Sequence, residues 1–308
     1  MPIPRALPFL LALLAGGCAP LQGMLYRTGL AHERARADLR WMTVNLGGRT
    51  VHYLEREGDG PAAEPLVLLH GFGGSKDHWV RFVRHLPGGY RVLAPDLPGH
   101  GDNARDTTVT YSISYLTDAV TAFLDRTSPG PVHLAGNSLG GRIAVEVALE
   151  RPERIRSLAL FDPAGVPSPE PSTLDSLLSE GENLLIPTTP SEYARFTALA
   201  FGDTPPSLPW PAEAVVARQY RRRAPFYRRV WDDLGAHFDL SRRLPALAVP
   251  TLLLWGEADE ILDVTAADEW ARLVPGIEVE RWPGVGHAPM LERPEASAAR
   301  YARFVAAH

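Results

Sequence analysis

The chain has 308 residues, 45% of them hydrophobic and 22% charged, with one cysteine and a formal net charge of -5. This is globular rather than disordered composition, and its negative sign removes the long-range attraction that a nucleic-acid partner needs. A lone cysteine excludes an intramolecular disulfide, a CxxC redox pair and a cysteine-built zinc site.

From the N-terminus, Arg5 precedes an apolar run over residues 6–15, then Gly16, Gly17 and the single cysteine, Cys18. The run is shorter than the ~20 apolar residues that span a bilayer, and its layout is that of a secretory leader. Its end, "LLAGGC", resembles a bacterial lipoprotein signal, departing from it at Ala15, where leucine is usual. The resemblance implies a leader over residues 1–17, acylation of Cys18, and export to the bacterial cell envelope with a lipid anchor holding the chain to a membrane. A plain secretory leader, giving a periplasmic or secreted protein, is the alternative. Residues 18–40 follow as an anchor-proximal segment in which Leu21, Met24, Leu25, Leu30 and Ala31 fall at roughly helical spacing. Such a helix suits a membrane interface or packing on the main domain equally.

Two alternating runs around Gly47 and Gly48 predict a β-hairpin. "PLVLLHG" and "YRVLAPD" are short and almost wholly apolar, as strands buried on both faces of a parallel sheet are. A helix over residues 112–126 leads to a strand at "PVHLAGN", a helix at "SLGGRIAVEVALERP" ending near Pro152, and a strand at "IRSLALFDP". Prolines then cluster between residues 163 and 211 and sheet periodicity stops. Alternation resumes with "VPTLLLWG", "AADEWARLV", "IEVERWP" and a terminal helix. The pattern predicts an α/β fold, a mostly parallel central sheet with helices on both faces, built from residues 41–165 and 245–308. Residues 166–244 form a helical cap over the carboxyl edge of the sheet, where such folds bind ligands. The basic stretch at 217–229 reads as a solvated helix face, with a lipid-headgroup contact as the alternative.

Between the fifth strand and its helix lies G-x-S-x-G: Gly136, Asn137, Ser138, Leu139 and Gly140. A serine on so sharp a turn needs small neighbours and aims its hydroxyl above the sheet. Serine is a weak nucleophile until a base activates it and an acid orients that base. His287, flanked by Gly284 and Gly286 after the last strand, stands where the base falls in the chain order serine, acid, histidine. Asp259, just past an apolar strand, is the favoured acid, with Glu257, Glu260, Asp263 and the more distant Asp162 competing. Oxyanion donors are expected from the backbone N–H of Leu139 and, in the glycine-rich "HGFGG" loop, of Phe72. Phe161, Phe196, Phe201 and Met290 read as core side chains before acyl-pocket ones. No metal or cofactor is called for.

The set "HGFGGSKDHW", "APDLPGHGDN", "LAGNSLGGRIA", "LFDPAG", "PTLLLWGEADEILDV" and "GHAPMLERP" resembles the α/β-hydrolase superfamily from residue 41 onward. More narrowly it is similar to bacterial family V lipases and esterases and to monoacylglycerol lipases. The resemblance implies Ser138 as nucleophile, Asp259 as acid, His287 as base, the N–H groups of Phe72 and Leu139 as oxyanion hole, and a helical cap. It implies a serine carboxylic-ester hydrolase acting on an acyl ester or glyceride through an acyl-enzyme. "GNSLGG" is also similar to the elbow of hydrolases that cleave carbon–carbon bonds in ring-fission products, which remain an alternative, as does a non-catalytic binding protein of the same fold.

Overall fold

The computed structural model describes residues 19–60, 63–235 and 239–308; the leader and Cys18 lie outside the described residues. Ahead of the sheet stands α1 (Ala19–Arg36), none of whose residues is buried. The Arg34 guanidinium ties it down, donating to both carboxylate oxygens of Asp77 at 2.7 Å. The hairpin of β1 (Arg40–Leu46) and β2 (Arg49–Arg56) turns at Gly47 and Gly48 with φ of 58° and 88°. Two positive φ values in a two-residue loop match the twist of the paired strands.

β3 (Glu64–Leu69), β4 (Tyr90–Pro95), β5 (Val132–Asn137), β6 (Ile155–Phe161), β7 (Thr251–Gly256) and β8 (Glu278–Trp282) complete an eight-stranded sheet in the order β1-β2-β4-β3-β5-β6-β7-β8. The β1–β2 and β2–β4 pairings are antiparallel and all later ones parallel. Every residue of β5 and β7 is buried while the edge strands are partly exposed, which is why the central strands read as continuous apolar runs.

Alternate side chains still face opposite layers. Leu134, Leu158, Leu160 and Leu253 join one core with Leu116, Val120 and Phe123 of α3 (Ile113–Thr127) and Ile143 and Val147 of α4 (Leu139–Glu150). Ala135, Ala159, Phe161 and Leu252 join the other, with Trp79 and Phe82 from a 3-10 turn running into α2 (Val80–Val83). Met290 of α9 (Pro289–Glu292) and Tyr301 and Phe304 of α10 (Pro294–Val305) close that second layer. α8 (Ala266–Leu273) sets Trp270 into the first.

Between β6 and β7 come α5 (Thr173–Ser179), α6 (Pro190–Ala200) and α7 (Ala212–Leu234), with no strand among the described residues. Side-chain caps set the starts of the first two: Ser172 and Asp175 bond each other's backbone N–H groups at the head of α5, and Thr189 accepts from Glu192 N–H at the head of α6. Among the described residues no helix is long and apolar enough to cross a membrane.

Candidate active site

The carboxyl ends of β5, β7 and β8 open on the same side of the sheet, and the three residues singled out by their chain order follow those ends. Ser138 lies between β5 and α4 with φ 54° and ψ -119°, a conformation costing a non-glycine residue about 1–3 kcal/mol. Hydrogen bonds hold it there: its N–H donates to Phe161 O at 3.1 Å and its carbonyl accepts from Ala164 N–H at 3.1 Å. The bend demands glycine on either side. A Cβ on Gly136 would lie 2.3 Å from Gly140 O, and one on Gly140 2.5 Å from the carbonyl oxygens of Leu69 and His70. The Ser138 hydroxyl makes no capping bond to the helix it precedes.

Asp259 and His287 are both buried and share a 2.7 Å contact between Oδ2 and Nδ1. Asp259 Oδ1 is occupied by the N–H groups of Ile261 at 2.8 Å and Leu262 at 3.0 Å. A carboxylate only accepts, so Nδ1 carries the imidazole proton and Nε2 is left with its lone pair outward. Further bonds pin the His287 loop: its N–H donates to Ala200 O at 2.9 Å, and Glu292 accepts from the N–H groups of Gly202 and Gly286 at 2.9 and 3.0 Å. Burial pushes the Glu292 carboxyl above its usual range despite those donors. Ser138 and His287 are not hydrogen-bonded to each other here. What joins their segments is Asn137, whose Nδ2 donates to His287 O at 2.9 Å and to Phe161 O at 3.0 Å. Bonds of this kind are often long before substrate binds.

Of the competing acids, Glu257 and Glu260 are exposed, and Asp263 is engaged by the Thr265 N–H and hydroxyl. Asp162 is different. Wholly buried after β6, it accepts from Gly256 N–H at 2.8 Å through Oδ1, while Oδ2 has no ordinary hydrogen-bond partner. One oxygen of Asp162, one of Asp259 and a His287 ring nitrogen lie within 4.8 Å of one another. Burial first, and then the Asp259 charge, drive the Asp162 carboxyl well above its ordinary range, because two carboxylates so close in a dry site do not both ionise. A cation fits this trio poorly: 2.7 Å is a hydrogen-bond separation, whereas ligand atoms around a tetrahedral zinc stand about 3.3 Å apart.

The loop after β3 is held by a histidine that the sequence did not mark. His70 is fully buried, accepts Leu97 N–H on Nε2 at 3.0 Å and meets Gly71 O through Nδ1 at 2.8 Å. Burial lowers its pKa well below the ordinary value, so the neutral ring serves as a fixed bracket. Gly71 then passes so near the elbow that a Cβ would stand 3.1 Å from Ser138 Cβ. Phe72 and Leu139 line, with Ser138, a mostly apolar cavity of about 220 Å³. Its far wall is Leu174, Leu178 and Leu185 from the segment between β6 and β7, with Trp231 of α7 and Ile261. Phe161, Phe196, Phe201 and Met290 do not line it. Phe161 and Met290 belong to the second core layer, and Phe196 and Phe201 pack behind the cavity wall, against the cluster that Leu199 forms with Leu174 and Ile261.

Residues 64–294 match the family model for the alpha/beta hydrolase fold, and the chain belongs to that family. In structure it is similar to a membrane phospholipase A described as a bacterial virulence factor, with a TM-score of 0.90 and 34% identity over 98% of this chain and 97% of the other. In sequence it is 29% identical to Lipase 1 of Psychrobacter immobilis over 282 residues, 89% of this chain and 87% of that lipase. It is 31% identical to monoacylglycerol lipase abhd6-B of Xenopus laevis over 258 residues, 77% of this chain and 74% of the relative. These are the groups the sequence motifs resemble.

Proposed function

We propose that this chain, a carboxylic-ester hydrolase by its fold and its relatives, works through Ser138, His287 and Asp259 by way of an acyl-enzyme. The observation that carries the reading is the buried 2.7 Å Asp259–His287 pair beside a serine kept in a strained turn. In this mechanism His287 Nε2 takes the Ser138 proton as Oγ attacks the ester carbonyl. The tetrahedral oxyanion is met by the N–H groups of Phe72 and Leu139. Asp259 orients the ring and stabilises its charged form. The imidazolium then protonates the leaving alcohol, and water, deprotonated by the same nitrogen, releases the acid.

Glycerides and other long acyl esters are the proposed substrates. The relatives are lipases, and the cavity beside Ser138 is lined mostly by apolar residues, six of them leucines. At about 220 Å³ it is smaller than the roughly 300–1,000 Å³ of a pocket enclosing a whole drug-sized ligand, so it suits a single acyl chain. We further propose that acylation of Cys18 holds the exported chain at the cell envelope; a Cys18→Ser variant that stays on membranes would refute this.

A serine-directed fluorophosphonate tests the mechanism. The wild type is expected to label and to hydrolyse p-nitrophenyl esters, and Ser138→Ala to do neither while melting at or above the wild-type temperature. Turnover surviving in Ser138→Ala overturns the assignment.

A further inference from the structure

Away from the site above, a cleft of about 750 Å³ lies between α1 and α7. Gly23, Tyr26, Arg27 and Leu30, spaced three and four apart, form the α1 wall, and Arg218, Arg222 and Arg223 stand on the α7 wall. Some of its cations are already engaged. Arg34 is bound to Asp77, Lys76 donates to Asp96 at 2.7 Å and Asp102 at 2.6 Å, and Arg223 reaches Gly101 O at 3.1 Å. Arg27, Arg218 and Arg222 have no ion-pair partner among the described residues. Three uncompensated guanidinium groups gathered in one open cleft run against a net charge of -5 for the whole chain, and the cleft therefore selects for an anion.

Helix α1 and the segment leading into α7 also expose large apolar side chains. Met24 and Leu25 of α1 are 52% and 38% exposed, and Leu208 and Trp210, leading into α7, are 41% and 59% exposed. Next to Leu208, Ser207 O accepts from Arg81 of α2 at 2.8 Å, and α1 packs on both α2 and α7. These four are most of the large hydrophobic side chains that the described residues expose. Arginines beside exposed tryptophan and aliphatic side chains suit the boundary of a bilayer, where phosphates lie next to acyl chains. Ala19 and Pro20, the residues next after the proposed acylation site at Cys18, line the same cleft.

We propose that the α1–α7 cleft binds the phosphate of an anionic phospholipid headgroup through Arg27, Arg218 and Arg222, and so fixes the orientation of the protein on a membrane surface. The inference goes beyond the catalytic reading and does not depend on it. Flotation of the full chain with vesicles of phosphatidylcholine, alone or mixed with phosphatidylglycerol, tests it at low salt. The expected result is a preference for the phosphatidylglycerol vesicles that weakens as salt rises and drops about fivefold for each arginine neutralised in Arg218→Gln and Arg222→Gln. The exposed Arg27→Gln and the salt series on the wild type read the same quantity should the α7 variants fail to fold. Equal partition onto both vesicle types at low salt, or an unchanged preference in the folded double variant, overturns the proposal. Loss of the preference in millimolar inorganic phosphate at constant ionic strength would mark a site for the free ion and overturn it as well. Because flotation needs no turnover, a chain that binds anionic vesicles but hydrolyses no ester would sink the catalytic reading alone.

Discussion

Replacing Asp259 by asparagine removes one charge and, in this setting, also dictates which way the new amide faces. Oδ1 of Asp259 accepts two backbone N–H groups, from Ile261 and Leu262. An asparagine must keep its oxygen there, because turning it would aim an NH2 at two donors in a dry site. The amide nitrogen then takes the place of Oδ2, 2.7 Å from His287 Nδ1, and donates where a carboxylate accepted. His287 adapts by giving up its Nδ1 proton and carrying one on Nε2, the nitrogen required to take the proton of Ser138. A trapped tautomer of this kind lowers kcat by about 10⁴-fold, or about 5.4 kcal/mol at 1.36 kcal/mol per tenfold, with KM for a short ester little changed. Hydrolysis of p-nitrophenyl butyrate measures this, and thermal melting checks the fold. Asp162→Asn is the control: an amide there still accepts Gly256 N–H and carries no charge, the form that burial favours in the acid, so activity should remain within about fivefold, a change of about 1 kcal/mol. A loss below tenfold in Asp259→Asn, or a larger loss in Asp162→Asn, would show that the acid has been misassigned.

Three further outcomes are expected. Burial raises the Asp162 pKa above its unfolded value, so its contribution to stability is fully present below the unfolded pKa and is lost as pH rises from there through the folded one; the wild type should lose more melting temperature than Asp162→Asn as pH is raised from the ordinary carboxylate range upward. Ser138→Gly relieves a backbone cost of about 1–3 kcal/mol against an entropic loss of about 0.5–1 kcal/mol for the added glycine, and should melt higher than the wild type while losing all esterase activity. Leu178→Trp adds bulk to the cavity wall and should shift the chain-length optimum of p-nitrophenyl esters to shorter acids; an unmoved optimum would mean that the acyl chain lies elsewhere.

The sheet was legible because its physics is local. Strands covered on both faces have nowhere to put polar side chains, so "VLL" in β3 and "TLLLWG" in β7 carry their burial in their composition. The elbow was legible for a related reason, since any other residue at 140 would put its Cβ 2.5 Å from neighbouring backbone oxygens. The basic stretch of α7 was legible in part: Arg222 and Arg228 are exposed, as on a solvated face, while Arg223 donates to Gly101 O and Arg229 to Val109 O at 3.1 Å each. Charge density is visible in a sequence, but the element packed opposite it is not.

Hidden from the sequence were groups whose role exists only through distant partners. Glu292 sits one turn past His287 in the chain like any helix-surface acid, and only the fold turns it inward onto the N–H groups of Gly202 and Gly286. His70 resembles every other histidine until Leu97 N–H and Gly71 O are seen on its two nitrogens. Asp162 was weighed as a rival to Asp259, but the two differ in what surrounds them. Asp259 receives two backbone N–H groups and an imidazole, all of which favour a charge, whereas Asp162 receives one N–H and otherwise faces another carboxyl group. The acid that touches the imidazole is therefore the one whose hydrogen-bond donors suit a carboxylate, while burial and its neighbour disfavour charge on the second.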